Sequence, residues 1–184
     1  MAGGAAVNRG PHTGSGSEAA VSDLSGPQRK SLLSNLDFGE LVRLNLPPAT
    51  GVDEYALFDK DDALAVHGSQ PSFTRSFDPD VVRKLIDLFT ALNAPAVSTA
   101  DAGLDSITIN DTKYTVSGPR GGQHPLELAT LHSDKHVFFV TNTATLLVIV
   151  QAAPGADVKQ KTNEKEGLWA AVRSFTFALT EKGL

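Results

Sequence analysis

Five histidines, a run of aspartates and a glycine-rich loop are the residues of this 184-residue chain whose types could support chemistry. His132 and His136 stand four apart, the spacing that puts two imidazoles on one face of a helix as metal ligands. Ser133-Asp134-Lys135 between them reads instead as a turn joining two strands, so the pair is expected as solvated loop histidines. His12, His67 and His124 form no further pattern. Asp59, Asp61 and Asp62 have the density of a calcium loop but lack its glycine and distal glutamate, so a polar hairpin tip is expected there. Gly118-Pro119-Arg120-Gly121-Gly122 lacks the Lys-Ser or Lys-Thr ending of a phosphate-binding loop and sits between strands, where a turn is the better reading. With no cysteine in the chain, disulfides, thiolate catalysis, iron–sulfur clusters and cysteine zinc sites are excluded. Spacing alone argues no Ser-His-Asp triad, because its members meet only in space. No catalytic residue, metal or cofactor is expected, and the chain reads as a binding protein rather than an enzyme.

The elements that must position any binding surface follow from patterning. With 41% hydrophobic and 20% charged residues the chain has the apolar material for one compact domain. A net charge of -5 argues against nucleic acid as a partner held by bulk electrostatics. The N-terminus lacks the basic start and sustained apolar stretch of a secretory signal, and the longest apolar run is far short of a membrane span, so a cytoplasmic protein is expected. Residues 1–26, rich in Gly, Ala and Ser without apolar periodicity, read as a disordered extension, and residues 27–184 as the folded domain.

From Pro27 to Leu46, Leu32, Leu33, Leu36, Phe38, Leu41, Val42 and Leu44 predict helix; Asp37, with Glu40 three positions on, is placed to cap a second short one. Tyr55 to Phe58 and Ala63 to Val66 flank the charged turn Asp59-Lys60-Asp61-Asp62 as a β-hairpin. Asp78-Pro79-Asp80 supplies an N-cap and a proline at the first helical position, and Val82, Leu85, Ile86, Phe89 and Leu92 then share one helical face up to Asn93 and Pro95. Ile107 and Ile109, the turn Asn110-Asp111, and Tyr114 and Val116 predict a second hairpin. Leu126 to Leu131, His136 to Thr141 and Ala144 to Gln151 complete about seven strands in an antiparallel meander. Within the last, Leu146 to Val150 is an unbroken run of branched apolar residues, as in a strand buried on both faces. Leu168, Val172, Phe175 and Leu179 mark a final amphipathic helix.

That order of elements resembles the profilins. Asp111-Thr112-Lys113-Tyr114-Thr115-Val116 is similar to their Gly-Gly-Thr-Lys-Tyr segment, and Thr141-Asn142-Thr143-Ala144 before the apolar strand is similar to their Thr-Asn-Gln-Ala strand. The ending Leu179 to Leu184 resembles the close of plant-type members, and Tyr55 to Ser69 occupies the place of their first hairpin. The likeness spans about Lys30 to Leu184; the long N-terminal extension and absence of cysteine resemble the Asgard archaeal relatives. It implies an α+β fold in which a central antiparallel sheet of about seven strands carries the N- and C-terminal helices on one face and a further helix on the other.

The resemblance further implies a monomeric, cytoplasmic and cytoskeletal protein that binds actin monomers and regulates their polymerisation, with proline-rich segments and phosphoinositides as further partners. By position, Lys113, His132, Lys135, Thr141, Asn142, Asn163 and Lys165 are its actin-binding candidates. The family's proline groove uses aromatic faces that match a preformed polyproline helix. Here the sequence departs from it: no tryptophan precedes Trp169, Leu64 or Ala65 stands at the hairpin position, and Ala178 replaces the usual His or Tyr. Phe38, Trp169, Phe175 and Phe177 are the remaining candidates for that groove, although Phe175 shares the apolar face of Leu168 and Val172. The alternative from another class is a roadblock or longin-type platform for a small GTPase, which extends a sheet edge across a dimer and so needs an exposed, uncharged edge strand.

Overall fold

The computed structural model describes residues 26–92, 105–117, 129–158 and 167–184. Residues 1–25 of the expected extension, His12, Asn93, Pro95, the Gly118 to Gly122 loop, His124, Asn163 and Lys165 lie outside the described residues.

The apolar run near the C-terminus forms β7 (Leu146–Ala152), in which residues 146 to 150 have no solvent-exposed surface. Strand alternation sends Leu146, Val148 and Val150 into one core and Leu147 and Ile149 into the other. β7 pairs antiparallel with β1 (Val52–Asp59) on one side and β6 (Val137–Asn142) on the other. The remaining strands are β2 (Ala65–Gly68), β3 (Ser106–Ile109), β4 (Thr112–Ser117) and β5 (Ala129–His132). They complete a seven-stranded antiparallel sheet in the order β2-β1-β7-β6-β5-β4-β3, so the expected meander is closed by the first strand lying against the last.

Two layers of helix cover the sheet. On one face pack α1 (Gly26–Asn35), α2 (Phe38–Asn45) and α5 (Leu168–Glu181), through Leu33, Phe38, Leu168, Val172, Phe175 and Leu179. On the other lie α3 (Pro71–Arg75) and α4 (Pro79–Leu92), through Phe73, Val81, Val82, Leu85, Leu88 and Phe89. The expected arrangement of terminal helices against a further helix is therefore present, with α3 as an addition. Its five residues are too few for apolar periodicity to announce it, and its partner is Gly68, where a Cβ would stand 2.4 Å from the Thr74 methyl.

Caps and turns set the element ends. The Asp37 carboxylate accepts the Glu40 amide at 2.9 Å and starts α2, dividing the predicted N-terminal helix in two. Asp78 accepts the amides of Asp80 and Val81 at 2.9 and 3.0 Å above Pro79, as the sequence predicts. Asn110 and Asp111 have φ of 47° and 59°, both left-handed, which is the two-residue turn that matches the twist of paired strands. Gly183, at φ 80°, turns the chain after α5 so that the Leu184 amide reaches the Leu179 carbonyl at 3.2 Å and the Leu184 side chain enters the core. The first hairpin differs from expectation: Ala63 adopts φ 60° and is buried, and β2 begins only at Ala65.

The aspartates of that hairpin are not a free polar tip. Asp59 is buried, and Arg29 of α1 places one guanidinium nitrogen 2.6 Å from its carboxylate and 2.8 Å from the Thr145 carbonyl, while the other meets Asp61. Lys30 reaches Asp62 at 3.3 Å, and Lys60 donates to the Thr143 carbonyl at 2.9 Å. Arg29 thus joins α1, the β1–β2 turn and the β6–β7 turn. Removing it leaves a buried carboxylate without its cation, which costs far more than an exposed pair.

Two outcomes are expected from denaturant unfolding. Arg29→Ala loses about 3 kcal/mol; a loss within about 0.5 kcal/mol, the scale of an ordinary surface change, means that α1 docks without the clamp. Asp111→Gly gains about 0.5 kcal/mol, because glycine adopts the left-handed conformation without a Cβ penalty; a lowered midpoint contradicts that reading of the turn.

Candidate functional site

The apolar layer beneath α1, α2 and α5 draws on β1, β7 and β6, and its described members include none from β3, β4 or β5. The apolar layer beneath α3 and α4 runs from Ala56 and Phe58 of β1 to Ile107 and Ile109 of the edge strand β3. The reason is alternation. On β3 and β4 every second residue is a buried Ile, Tyr or Val, and the residues between, Ser106, Thr108, Lys113, Thr115 and Ser117, are exposed on the face that carries α1, α2 and α5, hereafter the helix-bearing face. Pairing of Thr115 with His132 continues this row onto β5.

The predicted actin set divides across this geometry. Lys113 is exposed and His132 partly exposed, and both belong to the open half of the helix-bearing face. Lys135 is exposed in the β5–β6 turn, where Ser133 Oγ accepts the amides of Lys135 and His136 at 3.2 and 3.0 Å, the turn expected between the two histidines. Beside that turn a pocket of about 230 Å³ is lined by Lys135, His136, Asp53 and Gln151, the last two joined by a 2.8 Å hydrogen bond. Thr141 corrects the expectation, since it is 1% exposed beside Val148 on the covered part of the face. Asn142 is partly exposed but pairs with Leu147 and so points to the opposite face from Lys113.

The predicted proline-groove set also divides. Phe175 has no exposed surface, so its ring has no face to offer. Trp169 is half-buried edge-on to Phe139 of β6 at 6.0 Å, and Phe139 pairs with Thr130 of β5. It therefore borders the open polar half-face. Phe38 lies elsewhere, stacked on His67 of β2 with ring centroids 5.7 Å apart. Phe177 is 65% exposed on α5, whose flank toward α2 is marked by the 3.1 Å bond from Ser174 to Asn45. At about 100° and 1.5 Å per residue, Phe177 stands about 80° around the helix from Trp169 and about 12 Å further along it.

Patterning missed one cluster at the head of α2. Tyr55 of β1 and His67 of β2 share a hydrogen bond of 3.0 Å between hydroxyl and Nε2, with their rings 5.8 Å apart, and Phe38 closes the stack. Burial pushes the His67 imidazole below its ordinary value, against the opposing pull of Asp37, and pushes the Tyr55 phenol up. A neutral imidazole and a protonated phenol therefore form this corner near neutral pH, both half-buried, with the Phe38 ring buried beneath them. The signal was present only as an aromatic and a histidine on two strands whose register shifts at Leu57/Phe58.

No protein-family model and no curated protein matches this sequence. Among solved structures the chain is similar to mouse profilin IIa in complex with a double repeat from the FH1 domain of mDia1. The TM-score is 0.50 at 13% identity, over 81% of this chain and 100% of that one. At that identity the likeness concerns the fold: a seven-stranded antiparallel sheet between the terminal helices and the remaining helices is a profilin-like fold.

Proposed function

We propose that this protein binds actin monomers and regulates their polymerisation, and that it is a binding protein rather than an enzyme. The observation that supports this most is the open half of the helix-bearing face. There Lys113 and His132 stand among small hydroxyl side chains, with Trp169 at the border and Lys135 at the adjoining turn. A partly apolar patch with a basic rim suits an acidic protein partner. In the family resembled, this region of the later strands and the start of the last helix is the actin face. Asn163 and Lys165, just before α5, belong to the same proposal; Thr141 and Asn142 do not, for the geometric reasons given above. The profilin-like fold supports this reading over the roadblock or longin-type alternative.

Proline-rich segments are the second proposed partner. The mouse profilin was solved with an FH1 double repeat. Here the supporting features are the half-buried Tyr55 and His67, which lie over the buried Phe38, and the exposed Leu44 and Phe177 on α2 and α5. Phosphoinositide binding rests on the resemblance alone, since Arg29, Lys30 and Lys60 near the N-terminal helices are engaged by Asp59, Asp61, Asp62 and the Thr143 carbonyl.

In pyrene-actin assays a molar excess of the protein is expected to slow nucleation, and Lys113→Glu is expected to weaken that effect about tenfold, as for a charge at an interface. Unchanged nucleation and monomer exchange at several-fold excess would falsify the actin reading. A proline decamer titrated into the protein is expected to release heat that Phe177→Asp diminishes, with little change in Trp169 fluorescence because that ring sits about 12 Å away along α5. A strong Trp169 response places the ligand elsewhere, and no heat at millimolar peptide removes this partner.

A further inference from the structure

α1 is held on the molecule by charge more than by apolar area. Of its ten residues only Arg29 and Leu33 are buried, and they lie four apart on one helical face. Leu33 joins the core beneath the terminal helices, where Leu32 and Leu36 are only partly buried against it. A helix of ten residues is marginal by itself in water, so α1 persists only while it is docked. Undocking forfeits the burial of one leucine and the net value of the Arg29 ion pairs, and regains the conformational entropy of the segment. Release of β7 would instead expose the five fully buried residues from Leu146 to Val150.

The groups that hold Arg29 are themselves fixed by the sheet. Asp59 closes β1; its Oδ1 accepts the Asp61 amide at 2.8 Å, and its backbone carbonyl accepts the Ala63 amide at 2.9 Å. The Thr145 carbonyl accepts the Lys60 amide at 3.0 Å, and Thr143 Oγ1 accepts the amides of Thr145 and Leu146 at 3.3 and 3.0 Å. Lys60 Nζ ties the two turns together at the Thr143 carbonyl, 2.9 Å away. None of these bonds involves α1, so the cradle of Asp59, Asp61 and the Thr145 carbonyl keeps its shape when α1 leaves. Arg29 meets it with its two terminal nitrogens, one on Asp59 and Thr145 and the other on Asp61, while its buried Nε has no partner among the described residues. A guanidinium end group therefore makes every bond, whichever chain carries it. A lysine ammonium offers a single nitrogen and cannot reproduce the fork.

We propose that α1 is a latch that undocks as a unit while the sheet stays folded, and that an arginine side chain of a partner protein takes the place of Arg29 in the cradle and holds the latch open. The partner's chemistry follows from the acceptors, two carboxylates and a carbonyl spaced for a planar cation. A second copy of this chain fits less well as the donor. Only Leu36 and Asp37 join α1 to α2, a reach of at most about 10 Å, too short to seat α1 on another molecule while α2 stays in its own core. The external arginine competes with a tethered one, so a lone side chain binds weakly and a partner needs further contacts beside it. The cradle adjoins the Asn142 end of β6, whereas His132 pairs at its Val137 end, so the latch is separate from the proposed actin face and does not rest on that reading.

Amide hydrogen exchange on the full chain tests the latch. Residues 30–35 are expected to be protected at least about a hundredfold less than residues 147–150, and equal protection overturns the proposal. Arg29→Ala is expected to abolish protection in α1 and keep it in β7; persisting protection of α1 overturns the proposal. In that variant ethylguanidinium is expected to shift the Lys60 and Asp61 amides saturably, at least about tenfold more tightly than ethylammonium. No saturable shift, or equal affinity of the two cations, overturns the guanidinium site. Should Arg29→Ala fail to fold, the unaltered protein decides. There the acetylated peptide Gly-Pro-Gln-Arg-Lys-Ser-Leu-Leu-Ser-Asn at millimolar concentration is expected to speed exchange of residues 30–35 about twofold or more, and the same peptide with lysine for its arginine to leave it unchanged. Equal effects of the two peptides, or none from either, overturn the proposal. A concentration-dependent dimer in light scattering that Arg29→Ala abolishes also overturns it, by assigning the cradle to a second copy.

Discussion

Burial of β7 on both faces is the constraint on which the rest of the molecule depends. Five consecutive large apolar side chains from Leu146 to Val150 have no exposed surface, and each contributes roughly 1.5–3 kcal/mol on transfer from water. Their sum is on the order of the whole net stability of a domain. A strand of this kind cannot stand at an edge or face solvent on one side. It requires a paired neighbour on each side and a helical layer above and below, and the chain supplies them from its most distant parts: β1 and α2 from the beginning, α5 from the end.

The two layers are of unequal width, and the candidate functions come from that inequality. The layer with α3 and α4 covers an apolar face that extends to β3, whereas the core beneath the terminal helices draws on β1, β7 and β6. What remains on the latter side is a polar sheet surface backed by a solid core, suited to binding a large partner without rearrangement. A rigid scaffold also explains why the Arg29 cluster matters. α1 buries little beyond Leu33 and Arg29 itself, so a charge-assisted clamp on two turns takes the place of apolar area in fixing the N-terminal helix.

Local chemistry was legible in the sequence wherever a signal is carried by neighbours. The Asp37 and Asp78 caps, the Asn110-Asp111 turn, the buried stripes of α4 and α5 and the double burial of β7 all rest on residues within a turn or two of each other. Signals that depend on distant partners were not. Asp59 in a run of charges looks like a solvated tip until Arg29, 30 residues away, is known to face it. Tyr55 and His67 meet across a hairpin whose register shifts between them. Period-two alternation already separates Thr141 from Asn142, but which of the two shares a face with Lys113 depends on the pairing of three strands.

By itself, then, the sequence determined most of the elements and their order, because apolar periodicity and capping act over a few residues, while the profilin-like α+β sheet followed from its resemblance to that family. The tertiary structure decided which side chains share a surface. It buried Thr141 and Phe175, turned Asn142 to the other face, separated Trp169 from Phe38 and Phe177, and set Trp169 beside the polar half-face with Lys113 and His132. The physical reason is that membership of a surface is fixed by strand register and helix rotation, and both are set by contacts between residues far apart in the chain.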